Sequence, residues 1–176
     1  MPNGQRHPFF ARQARQELHH ARVFNRAVLC ITPRGARPVP ATLHQFRARL
    51  EHACRRRDLP ETLVGQQIVL EGFGALILHR MDARFEQRRI GFKRIRKTLL
   101  SQEQGHQAFG DRMVRALVES ESVELERVHD LVAEYLALID RVLADLQPMF
   151  DVVGADVELY KVALRARLPG WVTAIP

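Results

Sequence analysis

Two Glu-x-x-His pairs and a Glu set alone in an apolar run constrain this chain more than any other feature. The pairs are Glu17-Leu18-His19-His20 and Glu103-Gln104-Gly105-His106, and Glu71 interrupts Ile68-Val69-Leu70 and Gly72-Phe73. On a helix, residues three apart share a face, so each pair aims a carboxylate and an imidazole the same way. A carboxylate inside an apolar helical stretch is costly to bury unless something pairs with it. Three such elements on three inward-facing helices describe a bundle built around a two-metal carboxylate site. The spacing agrees, because 32 residues separate Glu71 from Glu103. A turn at Glu86 to Arg89 divides that distance into arms of about 16 residues, roughly 24 Å of helix each. Antiparallel packing about such a turn sets Glu71 level with Glu103.

At 176 residues and 46% apolar composition the chain fits one helical domain over 1–176. No run approaches the roughly 20 uncharged apolar residues of a membrane span, and arginines and histidines occupy the first twenty positions where a signal peptide needs an apolar block. The expected setting is cytoplasmic, without membrane association. Cys30 and Cys54 form no C-x-x-C pair and are expected to be reduced, buried thiols. Two cysteines also exclude a four-cysteine iron centre. The net charge of +7 and pI near 10.4 permit anionic partners without naming one. The densest basic stretch, Arg84 to Lys97, interleaves its charges with Phe85, Ile90, Phe92 and Ile95. We expect a solvated face whose apolar residues anchor a helix-helix corner; phosphate gripping by this stretch is the lesser alternative.

Apolar spacing predicts a first helix over 10–30, stopped by the proline-rich Thr32 to Pro40, and a linking helix over 41–57. Pro60 and Glu61 suit the first turn of the next helix, apolar from Leu63 to Met81, in which Gly72 and Gly74 suggest close packing or room beside a site. A further helix is expected from Arg89 or Phe92 to Val118, with Leu99, Leu100, His106, Phe109, Met113 and Leu117 inward and Gly105 and Gly110 flanking the ligands. Another spans Val123 to Leu146, stopping at Pro148, and a short one runs from Asp156 to Arg167. No strand alternation, internal repeat or low-complexity tract is present.

With these elements placed, the chain resembles the ferritin-like di-iron carboxylate superfamily. The likeness is carried by Gln16 to Phe24, Val69 to Gly72 and Ser101 to Gly110, and it covers roughly residues 10–118. Matched position by position, Glu17 and His20 correspond to the second ligand helix, Glu71 to the third, and Glu103 and His106 to the fourth. The first ligand helix and its Glu have no counterpart, since no acidic residue precedes Phe10. The expected fold is therefore an all-α, ferritin-like bundle that lacks or replaces its first helix, with residues 119–176 as a helical extension. Three explanations stay open: an amino-terminally shortened chain, a substitute carboxylate such as Glu126 or Glu134 or one from a partner chain, or a five-ligand site. An uncovered groove beside the site would favour a homodimer.

The resemblance implies a metal set of Glu17, His20, Glu71, Glu103 and His106, holding two iron ions, with manganese as an alternative. It also implies that Glu71 and Glu103 bridge or chelate, that each histidine binds one metal, and that dioxygen and a small organic substrate are consumed. Phe73 and Phe109 would line a dry pocket or simply pack in the core. No tyrosine lies between Glu17 and His106, which disfavours a radical-storing subunit, and the cysteine count excludes a complete rubrerythrin. Glu126-Arg127-Val128-His129 repeats the pair spacing outside the family register and is read as surface. The expected function is a non-haem di-iron oxidoreductase or oxygenase. The alternative is a degenerate, metal-poor bundle with a structural or interaction role, and a weaker third reading gives the basic stretch an RNA substrate.

Overall fold

The structure is a computed structural model that describes residues 8–31, 39–87, 89, 91–152 and 154–173, with the side chains at 27–31 and 173 outside the description. Among the described residues every regular element is helical, and none is a strand. The chain divides into two compact units, Met1–Pro38 and Val39–Pro176, each described by itself.

The first unit holds α1, Pro8–Ile31, close to its expected bounds. Pro8 starts it where a missing backbone N–H costs nothing. Phe9 and Phe10 meet edge to face at 5.9 Å, and the Arg12 guanidinium lies 5.5 Å over the Phe9 ring. Cys30 falls among the side chains outside the description.

The second unit opens with α2, Ala41–Arg55, which buries Phe46 and Ala53. Cys54 is a free thiol but an exposed one, contrary to expectation. Ala53 takes the inward position on this turn, and the next residue is rotated about 100° from it. The chain then enters one long rod, Leu59–Gln87, composed of α3 (Leu59–Thr62), a π-helical segment (Leu63–Leu70) and α4 (Glu71–Gln87). Asp58 caps it by accepting the Glu61 N–H at 3.1 Å, and Pro60 sits in its first turn. The π segment was not legible in the apolar spacing. Its ladder is visible where the Glu71 N–H bonds the Gln66 carbonyl, five residues back. At 29 residues the rod is long and apolar enough to cross a membrane, more than the composition suggested, but 67% of its most apolar window is buried inside the protein.

Helix α5, Lys93–Glu119, folds back along α4 and the π segment. The corner between them is closed by charge. Arg96, only 8% exposed, donates to Asp82 Oδ1 at 2.8 Å, to Glu86 Oε1 at 3.3 Å and to the Gly91 carbonyl, and stacks over Phe85. This overturns the expected apolar corner: Phe92 is 77% exposed and Ile95 is also exposed. Ile90 lies outside the described residues. Phe92 also has a left-handed backbone, with φ 66°.

Helix α6, Leu125–Asp145, packs against α2 and the π segment and contributes Val128, Leu131, Val132, Tyr135, Ile139, Val142 and Leu143 to the core. Close approach requires glycine here, since a Cβ on Gly65 would stand 2.5 Å from the Tyr135 ring. Helix α6 stops before Pro148, as expected, and Pro148 lies in the first turn of a short α7, Gln147–Val152. Helix α8, Val157–Arg167, is capped by Asp156 and packs on α4; α9, Gly170–Thr173, packs on α6. Trp171 ties α9 to α5 through a 2.7 Å bond from its indole N–H to Asp111 Oδ1.

Candidate metal centre

Three of the expected ligands converge inside the second unit. Glu71 opens α4, and Glu103 and His106 stand three residues apart on the facing side of α5; their exposures are 5%, 9% and 3%. His106 Nδ1 lies 3.1 Å from Glu71 Oε2. One ligand atom from each of the three lies within 4.8 Å of the others, so this buried group could hold a metal ion. Glu71 and Glu103 are brought together by the packing of α4, ending at Gln87, against α5, starting at Lys93, close to the turn the spacing required.

The donor set suits a hard, divalent cation. Two carboxylates brought this close in a buried site repel each other, and a cation between them removes that cost. At the roughly 2.0–2.2 Å bonds that zinc makes to nitrogen and oxygen in tetrahedral geometry, ligand atoms stand about 3.4 Å apart, so side-chain shifts of under about 1 Å close a group lying within 4.8 Å on an ion. Glycine makes the approach feasible. A Cβ on Gly74 would lie 2.9 Å from Glu103 Oε2, so the carboxylate rests on bare α4 backbone one turn beyond Glu71. Gly72 gives similar room to Gln107, whose buried side-chain nitrogen has no hydrogen-bond partner among the described residues. Gly105, by contrast, faces open space. Phe73 and Phe109 are both buried nearby in sequence, consistent with core packing.

Glu17 and His20 form a pair on α1 in the first unit, with Glu17 Oε2 3.4 Å from His20 Nδ1. Their spacing therefore does set a carboxylate and an imidazole on one face. The suggested substitutes from α6 do not join the α4–α5 group. Glu126 is exposed, and Glu134, also exposed, is paired with Arg49. His129, in the out-of-register pair, bonds the Trp171 carbonyl at 2.9 Å while Glu126 faces solvent.

A third buried carboxylate, outside this group, escaped the sequence reading. Glu61, 5% exposed, accepts from Arg49 Nε at 3.0 Å, Arg56 Nη2 at 2.7 Å and the Tyr135 hydroxyl at 3.3 Å. Arg49 also stacks 4.7 Å over the Tyr135 ring. Burial first, then the Glu61 carboxylate, push the Tyr135 phenol well above its ordinary value. Glu61 was read only as a helix-start residue, because its partners come from helices distant in sequence. This carboxylate is matched by guanidinium groups and serves structure.

Comparison with protein-family models, curated proteins and solved structures gives no match.

Proposed function

We propose that the protein is a ferritin-like, non-haem di-iron oxidoreductase that acts with dioxygen on an organic substrate. The main support is the burial of Glu71, Glu103 and His106 with their ligand atoms within 4.8 Å of one another. Glu71 and Glu103 are the proposed bridging or chelating carboxylates, and His106 a terminal ligand. Glu17 and His20 are assigned to the same set on sequence grounds, through their matching Glu-x-x-His spacing. Bound iron would supply the activation of dioxygen. The chain's own residues hold the charge of the ion, exclude water with Phe73 and Phe109, and fix the imidazole orientation through the Glu71 contact.

Elemental analysis of protein expressed with iron tests this. About two irons per chain are expected for an intact carboxylate centre of this class. Glu71→Gln should abolish uptake while the apoprotein stays folded. Wild-type protein that takes up no redox metal, or Glu71→Gln protein that loses stability but keeps its metal, would favour the degenerate, structural bundle instead.

A further inference from the structure

We infer that Gly74 is a positioning residue, whose missing side chain seats the Glu103 carboxylate against α4 and so sets the affinity of the centre for a divalent metal. This rests on the metal reading above and deepens it. Residues 71 and 74 lie on one face of α4, so the hollow at Gly74 is stacked directly beyond the Glu71 side chain. Glu103 fills that hollow: the position a Cβ would take is 2.9 Å from its Oε2 and 3.6 Å from its Cδ, and among the described residues no other side chain crowds it within 4 Å. A methyl group there meets only the far end of a flexible side chain. The helix can therefore accept alanine, but the carboxylate must leave. A residue that costs helix stability and, among the described residues, crowds only a candidate ligand is best explained by what it permits that ligand to do.

Gly105 supplies the internal comparison. It lies between Glu103 and His106 on α5, yet a Cβ there meets nothing within 4 Å among the described residues. Two glycines beside the same carboxylate thus have opposite predicted roles. Gly74 shapes the site, whereas Gly105 only weakens its helix.

The experiment titrates cobalt(II) into apoprotein, reading the visible absorption of the bound ion and the heat of binding, with thermal unfolding of each apoprotein in parallel. Gly74→Ala should bind about 10–100-fold more weakly, the range for losing a group that orients a ligand, with a changed cobalt spectrum. Its apoprotein should unfold no earlier than wild type. Gly105→Ala should unfold later and bind as wild type does. In a Glu103→Ala background, adding Gly74→Ala should change affinity no further, and this double variant, freed of the contact, also reports whether alanine at 74 is compatible with folding. Wild-type uptake with unchanged affinity in Gly74→Ala overturns the inference alone, as does a further loss in the Glu103→Ala background. A wild-type protein that takes up no cobalt overturns the metal reading and the inference with it.

Discussion

Replacing Glu61 by alanine should cost about 3 kcal/mol of stability, although Glu61 lies outside the candidate metal group. Three donors lose their acceptor. The bond from Arg49 is charge-assisted and only partly exposed, which makes it worth about 1.5–3 kcal/mol. Tyr135 is fully buried, and leaving its hydroxyl unsatisfied costs about 1–3 kcal/mol. Arg56 is half exposed and turns to water, so its bond contributes about 0–1 kcal/mol. Two effects pull the other way: Arg49 retains Glu134, and the penalty for burying the Glu61 carboxylate disappears. The expected fall in melting temperature is about 6–12 °C, at roughly 2–4 °C per kcal/mol for a chain of this size. Chemical denaturation followed by far-ultraviolet circular dichroism gives the free energy directly. Glu61→Gln keeps an acceptor for Tyr135 and should cost about half as much. A double-mutant cycle with Tyr135→Phe should show coupling of about 1 kcal/mol. A loss below about 1 kcal/mol for Glu61→Ala, or no coupling to Tyr135, would refute the assignment of this network as a stabilising element.

Two further outcomes follow from the same geometry. Because burial and Glu61 raise the Tyr135 phenol in the folded protein, its contribution is fully present below the ordinary tyrosine value of about 10 and is lost as pH rises above it toward the folded value; denaturation across alkaline pH should show that loss, and Tyr135→Phe should flatten it. Phe92 has a left-handed backbone and is 77% exposed, so Phe92→Gly should raise stability by about 1 kcal/mol in thermal unfolding; a decrease would mean that the ring makes a contact the exposed corner does not suggest.

The helical class and most helix positions were legible because apolar residues recur at helical spacing from Pro8 to Arg167. Glu71 was legible for the same reason: a charge stands out in an apolar run. A turn near Glu86 to Arg89 followed from dividing the Glu71–Glu103 spacing evenly, and α4 ends at Gln87 and α5 begins at Lys93, but what closes the corner did not follow. Arg96 reads as one more base in a basic stretch, and only the folded chain brings Asp82, Glu86 and the Gly91 carbonyl around it. The π segment was hidden because apolar residues on nearly every side leave no phase to read. Glu61 was hidden because its partners lie on α2 and α6, and no local pattern encodes a contact with Tyr135, which lies 74 positions away. Gly72 and Gly74 signalled close packing or space beside a site, but which side chain used the space depended on how α5 lies against α4.

The π-helical stretch carries a mechanical consequence of its own. Glu61 and Glu71 bracket it, and each must meet partners on different helices, Arg49 and Tyr135 for one and His106 for the other. The Leu63–Leu70 ladder, with bonds reaching five residues back, therefore works as a phase adjuster on a single shaft. Loss of one residue there would let the shaft rewind to ordinary α geometry with its two sides nearly in phase, since the wider turn holds that residue as slack; a second loss, with no slack left, would turn one side by about 100° relative to the other. In this protein the first one-residue loss in that stretch is absorbed and the next acts as a rotation, which would uncouple one buried carboxylate from its partners while leaving the helix itself intact.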